Sequence, residues 1–342
     1  MKGKQFCKYC IFLATMAIIM TGASAAAAVD VASFYRGKVV RLVVPFSPGG
    51  GYDLYARLLG NSMGKKLKCT VIVINKPDAG GLVAINDLYD TPRTDGLTLA
   101  MAPEGLALAQ IMKAPGVRYN CRKFGWLGSI NQDVRFLAVA SDSPFKSIAD
   151  LKKLKQPKAA TTEVTAPAGP SLAIAIEALN MENAKIVAGY PGSSEVILAV
   201  RRGEADFSVR ATAHLIGKNA FLRPLVVIDG KRAPEFPNIP AITEFDIKPE
   251  TKKMLDIVMS GKPSERSLLT PPGVALEKIT FLRKLAQTSF RDPELLKAAQ
   301  KMALPVSPLT GEDAEAGVNT ILKLSPKEVE KLRYVIFDKY VR

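Results

Sequence analysis

Residues 39–59 constrain this chain more than any other stretch. Val39-Val40-Arg41-Leu42-Val43-Val44-Pro45-Phe46 is a nearly continuous apolar run, which reads as a strand covered on both faces. Ser47-Pro48-Gly49-Gly50-Gly51-Tyr52-Asp53 is a glycine-rich turn, and residues 54–63 have helical apolar spacing. A strand, a glycine turn and a helix together aim unpaired N–H groups, at the positive end of the helix dipole, at whatever approaches the turn. The turn lacks the Gly-Lys-Ser/Thr ending of a phosphate loop and the third glycine of a dinucleotide fingerprint. What remains is an anion cradle, with Asp53 readable either as a ligand contact or as a first-turn structural residue.

The N-terminus places this cradle outside the cytoplasm. Lys2, Lys4 and Lys8 precede an apolar run at 11–20, and Thr21-Gly22-Ala23-Ser24-Ala25-Ala26-Ala27-Ala28 supplies a small-residue exit. Residues 1–28 therefore read as a cleaved export signal, and the rest as a periplasmic chain. Removing them takes away three lysines and lowers the net charge from +15 to +12. The basic residues are scattered and lack interleaved aromatics, which argues against nucleic acid as a partner. They suit the steering of anionic solutes. Cys69 and Cys121 remain, with one histidine, His214. No metal-ligand spacing exists, so no metal or other cofactor is expected, and whether the two cysteines pair stays open.

Apolar runs alternate with helical patterns along the rest of the chain. Strands are expected at 39–46, 70–74, 97–101 and 136–140, and helices at 54–63, 81–89 and 106–112. The middle repeats the logic, with strands at 159–162, 185–187 and 207–209 and helices at 170–179 and 193–202. Residues 225–228 read as a strand leading back to the first lobe, and from 274 onward the chain reads as mostly helical. Roughly 310 residues exceed one ordinary core. The expectation is an α/β fold of two lobes with largely parallel sheets. The first lobe is 33–139 and 226–342, and the second is 140–225, inserted into it, with a ligand cleft between them.

Recognition belongs to the turns at the carboxyl ends of strands. A second glycine turn, Asn75-Lys76-Pro77-Asp78-Ala79-Gly80-Gly81, lies beside the first, and Ala79, Gly80 and Gly81 are candidate contacts. In the second lobe Gly169 and Ser171 open one helix, and Tyr190, Gly192 and Ser193 precede another. Ser171 and Ser193 are readable as caps or as ligand donors. Arg210 ends a strand and is readable as a carboxylate partner or as a surface ion pair. His214 stands alone with no nucleophile elbow, and reads as a surface or satisfied polar residue. No arrangement meets the geometric roles of an active site, so catalysis is not expected.

These residues are similar to the signature of the tripartite tricarboxylate transporter substrate-binding proteins, or Bug-type receptors. The resemblance is carried by residues 43–57, by Asn75 to Gly81 and by Asp95-Gly96-Leu97-Thr98-Leu99. It continues in Gly189-Tyr190-Pro191-Gly192-Ser193, in Pro237-Asn238-Ile239-Pro240-Ala241-Ile242-Thr243-Glu244 and in Leu269-Thr270-Pro271-Pro272-Gly273-Val274. It implies a monomeric receptor of the type II periplasmic binding protein fold, its two lobes closing on a small carboxylate, that docks on membrane permease subunits. It assigns one carboxylate to Ser47, Pro48, Gly49, Gly50, Gly51, Tyr52 and Asp53 with Ala79 to Gly81, through backbone amides and water. The ligand's other end falls to Gly169 to Ser171 and Tyr190 to Ser193. The chain departs from the family pattern at Tyr52, Asp78 and Pro191, which leaves ligand identity open. The alternative reading is the same fold used as a ligand-sensing module for a signalling kinase, and an exported enzyme is the remaining one.

Overall fold

The computed structural model describes residues 31–164, 168–216 and 220–341. The expected export signal therefore lies outside the described residues. The chain forms β1 (Val39–Val44), β2 (Thr70–Asn75), β3 (Thr98–Met101), β4 (Gly125–Ser129), β5 (Arg135–Ala140), β6 (Lys158–Ala160), β7 (Lys185–Val187), β8 (Phe207–Ala211), β9 (Leu222–Val227), β10 (Ser267–Thr270) and β11 (Leu309–Thr310). One sheet has the order β11-β4-β10-β3-β1-β2 and the other β7-β6-β8-β5-β9. The fold is thus α/β with two lobes, each built on its own sheet.

Both sheets are mixed, which corrects the expectation of largely parallel ones. β1 lies parallel between β2 and β3, and β6 parallel between β7 and β8. β10 runs antiparallel to both β3 and β4, and β5 antiparallel to both β8 and β9. The reason is topological. β5 and β10 both carry the chain away from the junction of the lobes. They must oppose neighbours whose carboxyl ends point towards it.

Residues 225–228 do not lead back into the first sheet. Most of that run belongs to β9, an edge strand of the second sheet paired with β5. β5 begins at Arg135, so residues 130–134 carry the chain from the first sheet to the second. After β9 the chain stays against the second lobe, where Ala241 bridges Val227, and Ala233, Phe236 and Ile239 pack on its core, before β10 rejoins the first sheet. β4 and β10 were not anticipated. Gly125-Trp126-Leu127-Gly128-Ser129 and Ser267-Leu268-Leu269-Thr270 are short and interrupted by glycine or hydroxyl residues, yet every residue in them is buried. Tertiary burial overrides weak strand propensity there.

The glycine-turn helix, Gly51–Leu67, packs on β1 and β2, and its Tyr55, Ala56, Leu59 and Met63 join the first-lobe core. A second core runs without a break across both lobes. It joins Val43 and Trp126 to Leu172, Ile174 and Ile176 of the helix Gly169–Ala178. The end of the chain completes it: Val335, Ile336 and Tyr340 are buried against that helix. Lys339 donates to Glu177 at 2.7 Å, the Tyr340 hydroxyl donates to the same carboxylate, and Ile186 N–H donates to the Tyr340 carbonyl at 2.7 Å. Cys69 and Cys121 are both free thiols. A chain cut after Arg333 loses the buried side chains of Val335, Ile336 and Tyr340 and uncovers the helix they pack on. It should lose roughly 5 kcal/mol or more of stability, read as a lower urea midpoint.

Candidate functional site

Two glycine turns face the junction from the first lobe. The helix Gly51–Leu67 has Gly50 at its N-cap and no capping side chain. Its first hydrogen bond runs from Leu54 N–H to the Gly50 carbonyl at 3.0 Å, so the N–H groups of Gly51, Tyr52 and Asp53 lie ahead of the internal ladder. Asp53 is buried and is spent on the turn itself. It accepts from Gly49 N–H at 2.9 Å, from Arg57 Nε at 2.9 Å and from Asn75 Nδ2 at 3.0 Å. Burial alone would raise its carboxyl, but the bonds from Arg57, Gly49 and Asn75 outweigh it and hold the pKa below the usual carboxylate value. Asn75 also donates to the Phe46 carbonyl at 3.0 Å, tying the exit of β1 to that of β2.

The second turn ends in three left-handed residues, with φ of 49° at Ala79, 62° at Gly80 and 92° at Gly81. A Cβ at Gly81 would stand 2.7 Å from Pro45 Cβ, so glycine is required there both by φ and by contact with the first turn's strand. Ser47 to Gly50, Ala79 and Gly80 are exposed and Gly51 is half-buried. The structure therefore sets both turns on adjacent strands, at one edge of the sheet.

Beneath the first turn lies a buried ion cluster that sequence reading missed. Arg135 Nη2 bonds Glu104, and Glu265 Oε1 at 2.9 Å. Arg266 Nη1 lies 2.5 Å from Asp133 Oδ2 and 3.3 Å from Glu265 Oε1. The Arg266 guanidinium carbon stands 4.9 Å from the Tyr52 ring centre. Its Nη2 comes within 3.6 Å of where a Gly51 Cβ would be. Tyr52 is buried in the first-lobe core, packed 4.5 Å from Phe46 between ring centres, and its hydroxyl accepts from Glu104 N–H at 3.3 Å. Burial pushes the Glu104 carboxyl up to about 8 against the pull of Arg135, while Arg266 and Arg135 overcome burial at Asp133 and hold it low. The only sequence signal was charge beside buried runs: Arg135 at the head of Phe136-Leu137-Ala138-Val139, and Glu265-Arg266 ahead of β10.

The second lobe brings Arg210, Ser193 and His214 to the same junction. Arg210 lies at the carboxyl end of β8 and is 4 % exposed. Its Nη1 donates to Ser193 Oγ at 3.2 Å, while Nε and Nη2 are buried and have no hydrogen-bond partner. Burial, with help from Arg135, lowers its pKa to about 9, so it stays charged at neutral pH. It is not a surface ion pair: among the described residues no carboxylate pairs with it. His214, read as a surface or satisfied residue, has a buried Nδ1 without a partner. Burial and then Arg210 push its pKa down to about 4. Gly192 caps the helix Ser193–Arg201, Tyr190 is half-buried against the second-lobe core, and Gly169 and Ser171 are buried in the first turn of their helix. Residues 165–167, next to that helix, lie outside the described residues.

Residues 55–305 match the family profile described as the tripartite tricarboxylate transporter family receptor. The Bordetella pertussis protein BugT is 25% identical over 250 residues, 68% of this chain and 73% of that protein. The periplasmic binding protein BugD superposes with a TM-score of 0.68 at 23% identity, covering 88% of this chain and 98% of BugD. MatC from Rhodopseudomonas palustris, solved with bound malate, superposes with a TM-score of 0.66 at 18% identity, covering 87% of this chain and 99% of MatC. These likenesses in structure extend over both lobes.

Two outcomes test this geometry. Gly81→Ala should cost about 2 kcal/mol, seen as a lower thermal midpoint, because it adds a clash with Pro45 to an unfavourable φ. The depressed His214 pKa means that the unfolded chain binds the extra proton first. Stability should fall as the pH drops from about 6.5 to about 4, by about 3 kcal/mol at most, and His214→Gln should flatten that limb in urea titrations at stepped pH.

Proposed function

The chain belongs to the tripartite tricarboxylate transporter receptor family, and on that premise we propose that it captures a small carboxylated solute in the periplasm. It then delivers the solute to the membrane permease subunits of such a transporter. It acts as a monomer, and its work is binding rather than catalysis. The carboxylate lies on the N–H groups of the first glycine turn, facing Ala79 to Gly81, and closure of the second lobe completes the enclosure.

The observation that carries this reading is that Gly50 and Gly51 are glycines the fold does not need. Gly50 has φ of −78°, and a Cβ there would meet only the Ser47 carbonyl oxygen at 3.7 Å. At Gly51 the nearest atom would be Arg266 Nη2 at 3.6 Å, and its φ is not positive. Both distances are ordinary van der Waals contact. Gly51 is the first residue of the helix, where neither φ nor a neighbouring atom calls for glycine, which supports close approach of a ligand to bare backbone. Gly49, with φ of 82°, and Gly81 are different, since their backbone conformations favour glycine.

Calorimetric titration against di- and tricarboxylates, aromatic acids and acidic amino acids tests the proposal. At least one acid should give a saturating heat. Gly51→Ala should keep its thermal midpoint within the range of a surface substitution and lose at least about tenfold in affinity, since a methyl group then stands between the anion and the helix N–H groups. No heat from any class would overturn the proposal, as would Gly51→Ala binding as tightly as the natural chain.

A further inference from the structure

We propose that β2 is a docking edge, which pairs with an extended acidic segment of a partner protein.

The two sheets end in β7 and β9, and in β11 and β2. Three of these edges are closed. The end of the chain covers β7, where Ile186 N–H donates to the Tyr340 carbonyl at 2.7 Å. The segment after β9 covers that strand, where Val227 N–H donates to the Pro240 carbonyl at 2.9 Å. β11 is only two residues long. β2 is the exception, with six residues in unbroken parallel register with β1. Thr70 N–H donates to the Lys38 carbonyl at 3.0 Å, and Lys76 N–H to the Val44 carbonyl at 2.8 Å. The alternation of a parallel ladder then turns the backbone N–H and C=O groups of Val71, Val73 and Asn75 outward. Among the described residues no hydrogen bond reaches the backbone of Val71 or Val73 from the side away from β1. Exposed edges are ordinarily blunted by a charge, a proline or a bulge. β2 contains none of these, and its Ile72 is 46 % exposed.

An open groove of about 760 Å³ runs beside this edge, between β2 and the helix Gly51–Leu67. Gly60 and Gly64 bring the helix close. A Cβ would stand 3.2 Å from Val71 Cγ1 at the first and 3.0 Å from the Cys69 carbonyl oxygen at the second. Val71 and Val73 form the apolar strip of the groove, and Arg57, Asn61, Lys65 and Lys68 its polar rim. No acid lines it. Between Tyr35 and Pro77 the sequence has a single acid, Asp53, which is buried and engaged by Gly49, Arg57 and Asn75. Lys65 pairs with Glu294, but both side chains are exposed, so the pair is weak and open to exchange.

Backbone and charge together select the occupant. A strand laid along β2 bonds the outward row through its main chain. Its side chains alternate between two faces, so acids at every second position meet Lys65 and Lys68 while apolar residues between them lie beside Ile72. A second copy of this chain is disfavoured, because pairing β2 with β2 sets like cations against each other. Anionic lipid would use the cations and leave the backbone row unpaired. The groove takes in Gly37, Lys68 and Thr70 at the amino end of β2, whereas the second glycine turn follows its carboxyl end. Docking therefore leaves the glycine turns free, and the proposal stands apart from the carboxylate reading.

The probes are short synthetic peptides carrying a fluorophore: Glu-Val repeats, Lys-Val repeats, and Glu-Val repeats methylated at each backbone nitrogen. In anisotropy titrations the plain Glu-Val peptide should bind at least about tenfold tighter than either of the others. At saturation, amide exchange at Val71 and Val73, read by NMR, should slow by at least about tenfold. The double variant Lys65→Gln/Lys68→Asn should weaken the Glu-Val peptide at least about fivefold. Asn suits the left-handed conformation at Lys68, with φ of 53°, so the thermal midpoint should stay within the range of surface substitutions. The acid titrations of the wider panel should be unchanged by saturating peptide. Equal binding of plain and methylated peptides overturns the proposal, since charge alone would then explain it. So does unaltered exchange at Val71 and Val73, or a peptide that competes with the acids. Binding to phosphatidylglycerol vesicles with none to the Glu-Val peptide also overturns it, in favour of a lipid-facing surface. Each of these results leaves the carboxylate reading standing, and silence towards every acid in the panel leaves this one standing.

Discussion

The ion cluster of Glu104, Asp133, Arg135, Glu265 and Arg266 is the constraint on which the rest of the site depends. Arg135 heads the strand that enters the second sheet, while Glu104 follows β3 and Glu265 precedes β10 in the first. Its bonds therefore fix the start of one sheet to the carboxyl edge of the other. Asp133, on the connecting segment, is held in turn by Arg266, and Asn131 Nδ2 donates to it at 2.9 Å. A further tie holds the end of β9 to the segment before β10, with Lys262 Nζ 2.6 Å from Asp229 Oδ2 and 3.3 Å from the Ile228 carbonyl. Removing one partner of a buried pair typically costs 3–5 kcal/mol, because the other charge is left stranded. The lobe junction is thus polar but tightly specified.

Much of the fold was legible in the sequence because its elements are locally self-consistent. The run from Val39 to Val44, the glycine turn and the helix after it announce themselves, as do Ser325-Pro326-Lys327-Glu328, where Ser325 and Glu328 form a capping box. The element order of the second lobe could be read the same way. β4 and β10 were missed because their burial comes from distant partners, which local sequence does not encode. The orientation of β5 was missed because it follows from where the chain crosses between lobes.

The site was half legible for a related reason. Glycine turns carry a local signature, and Arg210 could be nominated as a charge closing an apolar strand. Its lack of a carboxylate partner could not be read, since that depends on every neighbour. The charged cluster was invisible: Glu104, Asp133 and Glu265 are ordinary acids in sequence, and only the fold gathers them. Asp53 shows the converse. It sits in the most recognisable motif, yet its carboxylate is occupied by Gly49, Arg57 and Asn75. The protein thus holds paired charge next to a charge that no carboxylate among the described residues pairs.

The return of the chain's end to the second lobe has a kinetic consequence. Glu177 meets Lys339 and Tyr340 across 162 and 163 positions of sequence. The helix Gly169–Ala178 therefore forms among early neighbours but lacks its last wall until residues 335–340 arrive. Closing so long a loop has to precede any reward from the contacts it makes, and topologies of this kind fold slowly. Until then Leu172, Ile174 and Ile176 are a half-covered apolar face. The second lobe, although formed from the middle of the chain, is the part that waits longest to become native.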